Sequence, residues 1–210
     1  LVSCLALALV SSQGHADEAR AESAATASPR REPSFVPTVG FGLSGIVERS
    51  RIDAGGERFE ETRSDLRATL AVGLAHPVLT LGTYRAARVR IDGHASLGVG
   101  PTFGDGRYQV PLREDVTLAW GAASWLTLRV GLGAGVVVDA TRTAFSYAEF
   151  GAPLSFTFGP AVEVVWRPAL AVGLGEEERA VFGGTQSWSS GVAFVPFDFA
   201  LRFRIGAIGF

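Results

Sequence analysis

The 210-residue chain has one cysteine and no lysine, asparagine or methionine. One cysteine excludes a disulfide framework and a cysteine-rich zinc centre. Without lysine there is no Schiff-base nucleophile, and all 19 basic residues are arginine. Set against 21 acidic residues, they leave a net charge of −2 and no polybasic signature, so nucleic acid is not an expected partner. Charge as a whole is scarce, at 19% of residues against roughly 25% in soluble domains. No run of 18 apolar residues occurs either, so no membrane-spanning helix is expected. What the chain does have is 47% apolar residues and 26 glycines, a composition suited to one β-rich domain.

The first segment reads as an address. Leu1 to Val10 is an apolar run of signal-peptide length, and Gly14 and Ala16 provide the small residues of a secretory cleavage site. Residues 1–16 are therefore expected to be a signal peptide. The rival reading is a lipoprotein acylated on Cys4. Residues 17–35 are rich in Ala, Glu, Ser, Arg and Pro, with nothing large and apolar before Phe35, and read as a flexible periplasmic linker.

From residue 36 to 210 the period is two. Leu126, Leu128, Val130, Leu132, Ala134, Val136 and Val138 alternate with Thr127, Arg129, Gly131, Gly133, Gly135, Val137 and Asp139, the pattern of a one-sided strand. Seven further segments behave alike: 39–47, 66–74, 89–99, 108–122, 154–166, 170–174 and 195–205. Eight strands are expected, with ten as the alternative if residues 76–86 pair. Alternate connections are polar or glycine-rich, centred on Gly55-Gly56, Gly104 to Gly106, residues 140–151, and Gly183-Gly184. Two of the others read as tight turns, Ala123 to Trp125 and Trp166 to Pro168. Long connections at one end and short ones at the other are a property of membrane barrels.

The second face mixes small residues with charges. It carries Arg67, Arg88, Arg90, Asp92, His94, Arg129, Glu163, Asp198, Arg202 and Arg204 among many glycines and alanines. A narrow interior needs small residues, and eight strands leave room only for side chains. The expected arrangement is apolar outside towards lipid, with a lumen filled by an Arg/Glu/Asp network in which Arg129 and Glu163 are cross-strand neighbours. Tyr84, Trp120, Trp125, Trp166 and Phe203 form the expected aromatic belt at the short-turn end.

This pattern, over about residues 36–210, resembles the small bacterial outer-membrane β-barrels of the OmpA/OmpX-like class. The resemblance implies a closed all-β, up-and-down antiparallel transmembrane barrel with both termini periplasmic. It also implies insertion by the barrel-assembly machinery into the Gram-negative outer-membrane lipid bilayer, with the terminal Phe210 as insertion signal. A monomer is the expected state.

Chemistry is sparsely provided. Asp92, His94 and Ser96 share a strand face, but steps of about 7 Å along it do not make the direct hydrogen bonds of a triad. No catalytic residue, metal site or cofactor is expected, and Glu176 to Glu178 reads as a solvated acidic run. The leading expectation is a non-enzymatic, porin-like cell-envelope barrel that presents surface loops. The alternatives are a narrow pore or carrier for small anionic solutes, and a secreted lipocalin-like barrel with the two faces reversed.

Overall fold

The computed structural model describes residues 35–84, 87–104, 106–142, 145–181 and 184–205. The expectations for the signal peptide, most of the linker and Phe210 lie outside these residues.

The described chain is all β. Its strands are β1 (Val36–Ala54), β2 (Glu57–Tyr84), β3 (Ala87–Pro101), β4 (Tyr108–Ala123), β5 (Leu126–Asp139), β6 (Tyr147–Gly151), β7 (Leu154–Phe158), β8 (Val162–Trp166), β9 (Ala169–Gly173), β10 (Glu176–Val181) and β11 (Gly184–Arg204). Neighbours pair antiparallel in chain order from β1 to β5. β5 then pairs with both β6 and β7, β6 with β9, β7 with β8, and β8 and β9 both with β11. β11 returns to β1, with Val39 opposite Phe203 and Phe41 opposite Leu201. The wall is thus a closed ring of eight staves, in which β6–β7 and β8–β9 are each one stave in two pieces.

Proline causes both breaks. Pro153 and Pro168 have no N–H to give to a ladder. Backbone bonds step across the gaps: Ala152 N–H donates to the Pro168 carbonyl at 2.9 Å, Gly131 N–H to that of Pro153 at 3.0 Å, and Arg167 N–H to that of Asp198 at 2.9 Å. Two sequence expectations are corrected here. Trp166 to Pro168 is a mid-wall irregularity; the real turn is at Gly159 to Ala161, where Gly159 takes a positive φ of 59°. The sixth stave begins at Tyr147, inside the expected 140–151 connection. Residues 76–84 add no strands, because they lengthen β2, which pairs with β3 down to Tyr84–Ala87 through two register shifts.

Thr38, stepped across hydrogen-bonded partners through Gly73, Ser96, Arg113, Gly135, Glu149, Ala171 and Ala193, leads back to β1 at Glu48, ten residues further on. That stagger tilts the staves and fixes a narrow interior. Outward side chains form an apolar band that includes Phe41, Leu70, Leu97, Leu112, Leu132, Leu170 and Leu201, all exposed, while the inward row is polar or small. The eighth stave departs from the expected pattern. Gly45 faces Phe197 but Val47 faces Phe194, a bulge at Pro196 that turns Val195 inward, where it is fully buried. The Phe197 ring lies over Gly45 and fills the space a side chain there would need.

β1 and β2 continue past the band as a polar hairpin, turned by Gly55 and Gly56 at φ 61° and 85°, the left-handed pair of a type I′ turn. β11 extends alongside β1 and carries β10 on its other edge. Glu176 to Glu178 therefore belongs to a strand rather than to a free acidic loop.

A closed ring resists detergent until heated. The chain, expressed behind a secretory signal sequence and isolated in membranes, is expected to migrate differently on SDS gels before and after boiling. A single unshifted band would rule out the closed wall.

Candidate functional site

Among the described residues, the lumen gathers most of the buried charge. At the hairpin end Arg107 reaches Glu48 at 3.4 Å, Asp65 at 3.0 Å and Asp139 at 3.5 Å. Its guanidinium lies 4.1 Å from the Phe145 ring centre, and Arg142 stacks on Phe145 at 4.7 Å and on Trp188 at 5.0 Å. Below this cap lies a small apolar cluster of Ile46, Val137, Tyr147, Val195 and three alanines.

The middle of the lumen is a lattice of arginines and carboxylates. Arg67 is completely buried and donates to Gln109 Oε1 at 3.0 Å, Tyr147 Oη at 3.3 Å and Ser44 Oγ at 3.3 Å. Arg113 bridges Glu149 at 3.1 Å and Asp198 at 2.6 Å. Arg167 pairs with Asp115 at 2.9 Å and with Glu149, and Arg202 approaches Asp115 at 3.5 Å. Two glycines make room for it. Any Cβ at Gly151 would collide with the Arg167 guanidinium, and any at Gly133 with the Asp115 carboxylate.

Nearer the short turns, Asp92 binds Arg90 at 2.8 Å and Arg129 at 3.1 Å. Arg129 meets Glu163 at 3.6 Å, and Ser155 Oγ donates to Glu163 at 2.6 Å. The Arg129–Glu163 pair spans β7, because Glu163 lies on β8 rather than on the strand next to β5. His94 Nε2 lies 3.0 Å from Thr38 Oγ1, while the Asp92 carboxylate is held by the two arginines. The Asp92-His94-Ser96 row therefore faces a packed interior. Arg202 and Arg204 line a cavity of about 20 Å³ with Asp92, Arg129 and Glu163. Arg88 and Arg90 line a cavity of about 90 Å³ at the mouth, with Ala119, Gly121 and Thr127.

All ten lumen residues expected from the sequence lie on the inward row, with Arg88 exposed at its end. The expected network omitted Arg107, Arg113, Asp115, Glu149 and Arg167, which carry much of it. Parity on the fourth segment already placed Arg113 and Asp115 opposite Leu112 and Val116. Glu149 was hidden in the assumed connection, and Arg167 in the assumed turn. Of the expected belt, Tyr84 and Trp125 are exposed beside short turns, while Phe203 and Trp120 lie one and three residues inside the ends of their strands. Trp166 does not join them. It pairs with Leu154 and Phe199 part-way up the wall, because the turn it was expected to flank is not there. His76 lies within β2.

An apolar band outside and an ionic lattice inside reverse the layout of a soluble barrel, so the reversed-face lipocalin-like reading is not the one observed. No helix among the described residues is long and apolar enough to cross a membrane; the strands do the crossing. This is the architecture of a small outer-membrane β-barrel. Solved structures with a similar layout include the outer membrane enzyme PagL, at 12% identity and TM-score 0.42 over 77% of this chain and 97% of that one. Neisserial surface protein A follows at 8% and 0.34, over 79% and 97%. The outer membrane protein OprG from Pseudomonas aeruginosa follows at 14% and 0.36, over 80% and 95%. The chain matches no protein-family model and no curated protein sequence.

Glu149 holds two arginines at once, so its loss leaves two buried cations short of a partner. Glu149→Leu is expected to destabilise the folded barrel by about 3–5 kcal/mol in urea titration. Arg58→Ala, which removes an exposed 3.1 Å pair with Asp53, should leave the midpoint unchanged. Equal midpoints for Glu149→Leu and the unaltered chain would show that the lattice does not hold the wall.

Proposed function

We propose that the chain is a non-enzymatic outer-membrane barrel with a sealed lumen, which holds a polar β-extension away from the bilayer. The observation that carries this reading is the fill of the lumen. Two cavities among the described lattice residues measure about 20 and 40 Å³, room for a water or two in each and for no solute. Buried charges persist in such an interior only when paired and hydrogen-bonded; the carboxylates from the Arg107 cap to Asp92 meet arginines, and Arg67 donates to the neutral acceptors Gln109, Tyr147 and Ser44. The extension, by contrast, carries Arg49, Arg51, Arg58, Glu57 and Glu60, all exposed, with only surface ion pairs such as Arg49–Glu60 at 3.7 Å.

A second reading is favoured by one feature. At the short-turn mouth Arg88, Arg90, Arg129, Arg202 and Arg204 outnumber Asp92 and Glu163, and the 90 Å³ cavity opens beside Arg88 and Arg90. This composition draws small anions to a vestibule.

Planar-bilayer recording separates the two. The sealed barrel is expected to give no conductance steps. Steady anion-selective openings in the unaltered chain, lost in Arg88→Ala/Arg90→Ala, would replace the first reading with the second. Trypsin applied to intact cells should cut between Arg49 and Arg63 while the wall stays whole; full protection of that hairpin would rule out a surface-facing extension.

A further inference from the structure

Among the described residues, Glu114 and His76 interrupt the apolar band on the lipid-facing side. Glu114 lies on β4 midway between Tyr108 and Trp120, flanked on its face by the exposed Leu112 and Val116. Its side chain is 49% exposed at a depth where an ionisable group is costly and usually functional. His76 on β2 points towards it across β3, with Nε2 3.9 Å from Glu114 Oε1, too far for a hydrogen bond. The ground between them is low. The His76 ring covers Gly93, where any Cβ would collide with it, and Ala95 and Ala134 are the strand partners on either side of Glu114. The result is a shallow notch beside Leu112 and Val116, holding an imidazole and a carboxylate within ion-pair reach but with no hydrogen bond between them.

We propose that this notch is the contact between two copies of the chain within the membrane, an inference that rests on the membrane-spanning reading. The patch is self-complementary. His76 and Glu114 stand on opposite sides of β3, so a twofold axis at β3 near Ala95 sets each protomer's His76 against the other's Glu114 and forms two equivalent bonds. The imidazole N–H donates and the carboxylate accepts, and both polar groups leave the hydrocarbon together. Small residues at the axis let the two walls approach closely, as they do where helices pack in membranes. The monomer expected from the sequence gives way to a dimer, because an acid and a histidine on an otherwise apolar wall are satisfied by a second copy of themselves.

The test is disulfide trapping in isolated membranes, in a Cys4→Ser background. Ala95→Cys stands at the proposed axis, and Val164→Cys on β8 faces lipid from the opposite wall. Oxidation is expected to give a dimer band with Ala95→Cys and none with Val164→Cys. Adding Glu114→Leu, or separately His76→Leu, should lower the Ala95→Cys dimer several-fold while the heat-dependent gel shift persists. The unaltered chain in lipid nanodiscs should have twice the chain mass. Equal trapping at the two cysteines, trapping indifferent to both substitutions, or a single-chain mass in nanodiscs would each overturn the dimer and leave the barrel standing. Absence of the gel shift in the unaltered chain would remove the barrel and the interface together.

Discussion

Hydrocarbon leaves a strand no partner for its backbone except another strand, and this is the constraint on which the structure turns. An open edge in lipid costs several kcal/mol for each unpaired group, so β11 must come back to β1. Closure with eight staves and a ten-residue stagger then fixes the radius. The radius leaves an interior that side chains alone fill, and the interior sets the remaining terms. Its residues alternate with lipid-facing ones, and here they are mostly arginine, carboxylate, threonine and glycine. The salt bridges follow from the wall as much as they support it.

The lattice shows how such an interior is made tolerable. Removing charge from water is expensive, and attraction in a low dielectric repays it only with good geometry and further hydrogen bonds. Each central arginine therefore has more than one partner. Arg113 has Glu149 and Asp198, Arg167 has Asp115 and Glu149, and Arg129 has Asp92 and Glu163. Guanidinium suits the task because it is planar, always charged and offers five donors. The complete absence of lysine costs this interior nothing. Sharing couples the pairs, so the wall responds to the loss of one carboxylate over a distance of several staves.

Much of this was legible in the sequence, because a period of two is a direct consequence of strand geometry. The ring size, the lipid and lumen faces of the first five staves, and the inward place of Arg67, Asp92, Arg129 and Asp198 all follow from counting. Legibility failed where counting slips. Pro153 and Pro168 break two staves without ending them, and a proline after a tryptophan looks like a turn. Pro196 shifts the phase of the eighth stave by one, so Val195 and Phe197, both odd, point to opposite faces. Alternation on its own cannot distinguish a bulge from an end. The pairing of Arg167 with Asp115, 52 positions away, is set by closure and stagger, which no local pattern encodes.

The same rule makes Glu114 informative. Inside the wall a carboxylate is explained by its arginines, as Glu149 and Asp115 are. Glu114 lies next to Asp115 in sequence and points the other way, so the pleat that gives one carboxylate two cations denies the other any arginine. A substitution drifting onto the lipid face would have no reason to arrive with a histidine across the strand between and small residues beneath. His76, Gly93, Ala95, Glu114 and Ala134 lie on four consecutive staves, β2 to β5, and become one patch only when those staves pair. The wall that hides one set of charges thus presents another, and what is unsatisfied on a single barrel is complementary on two.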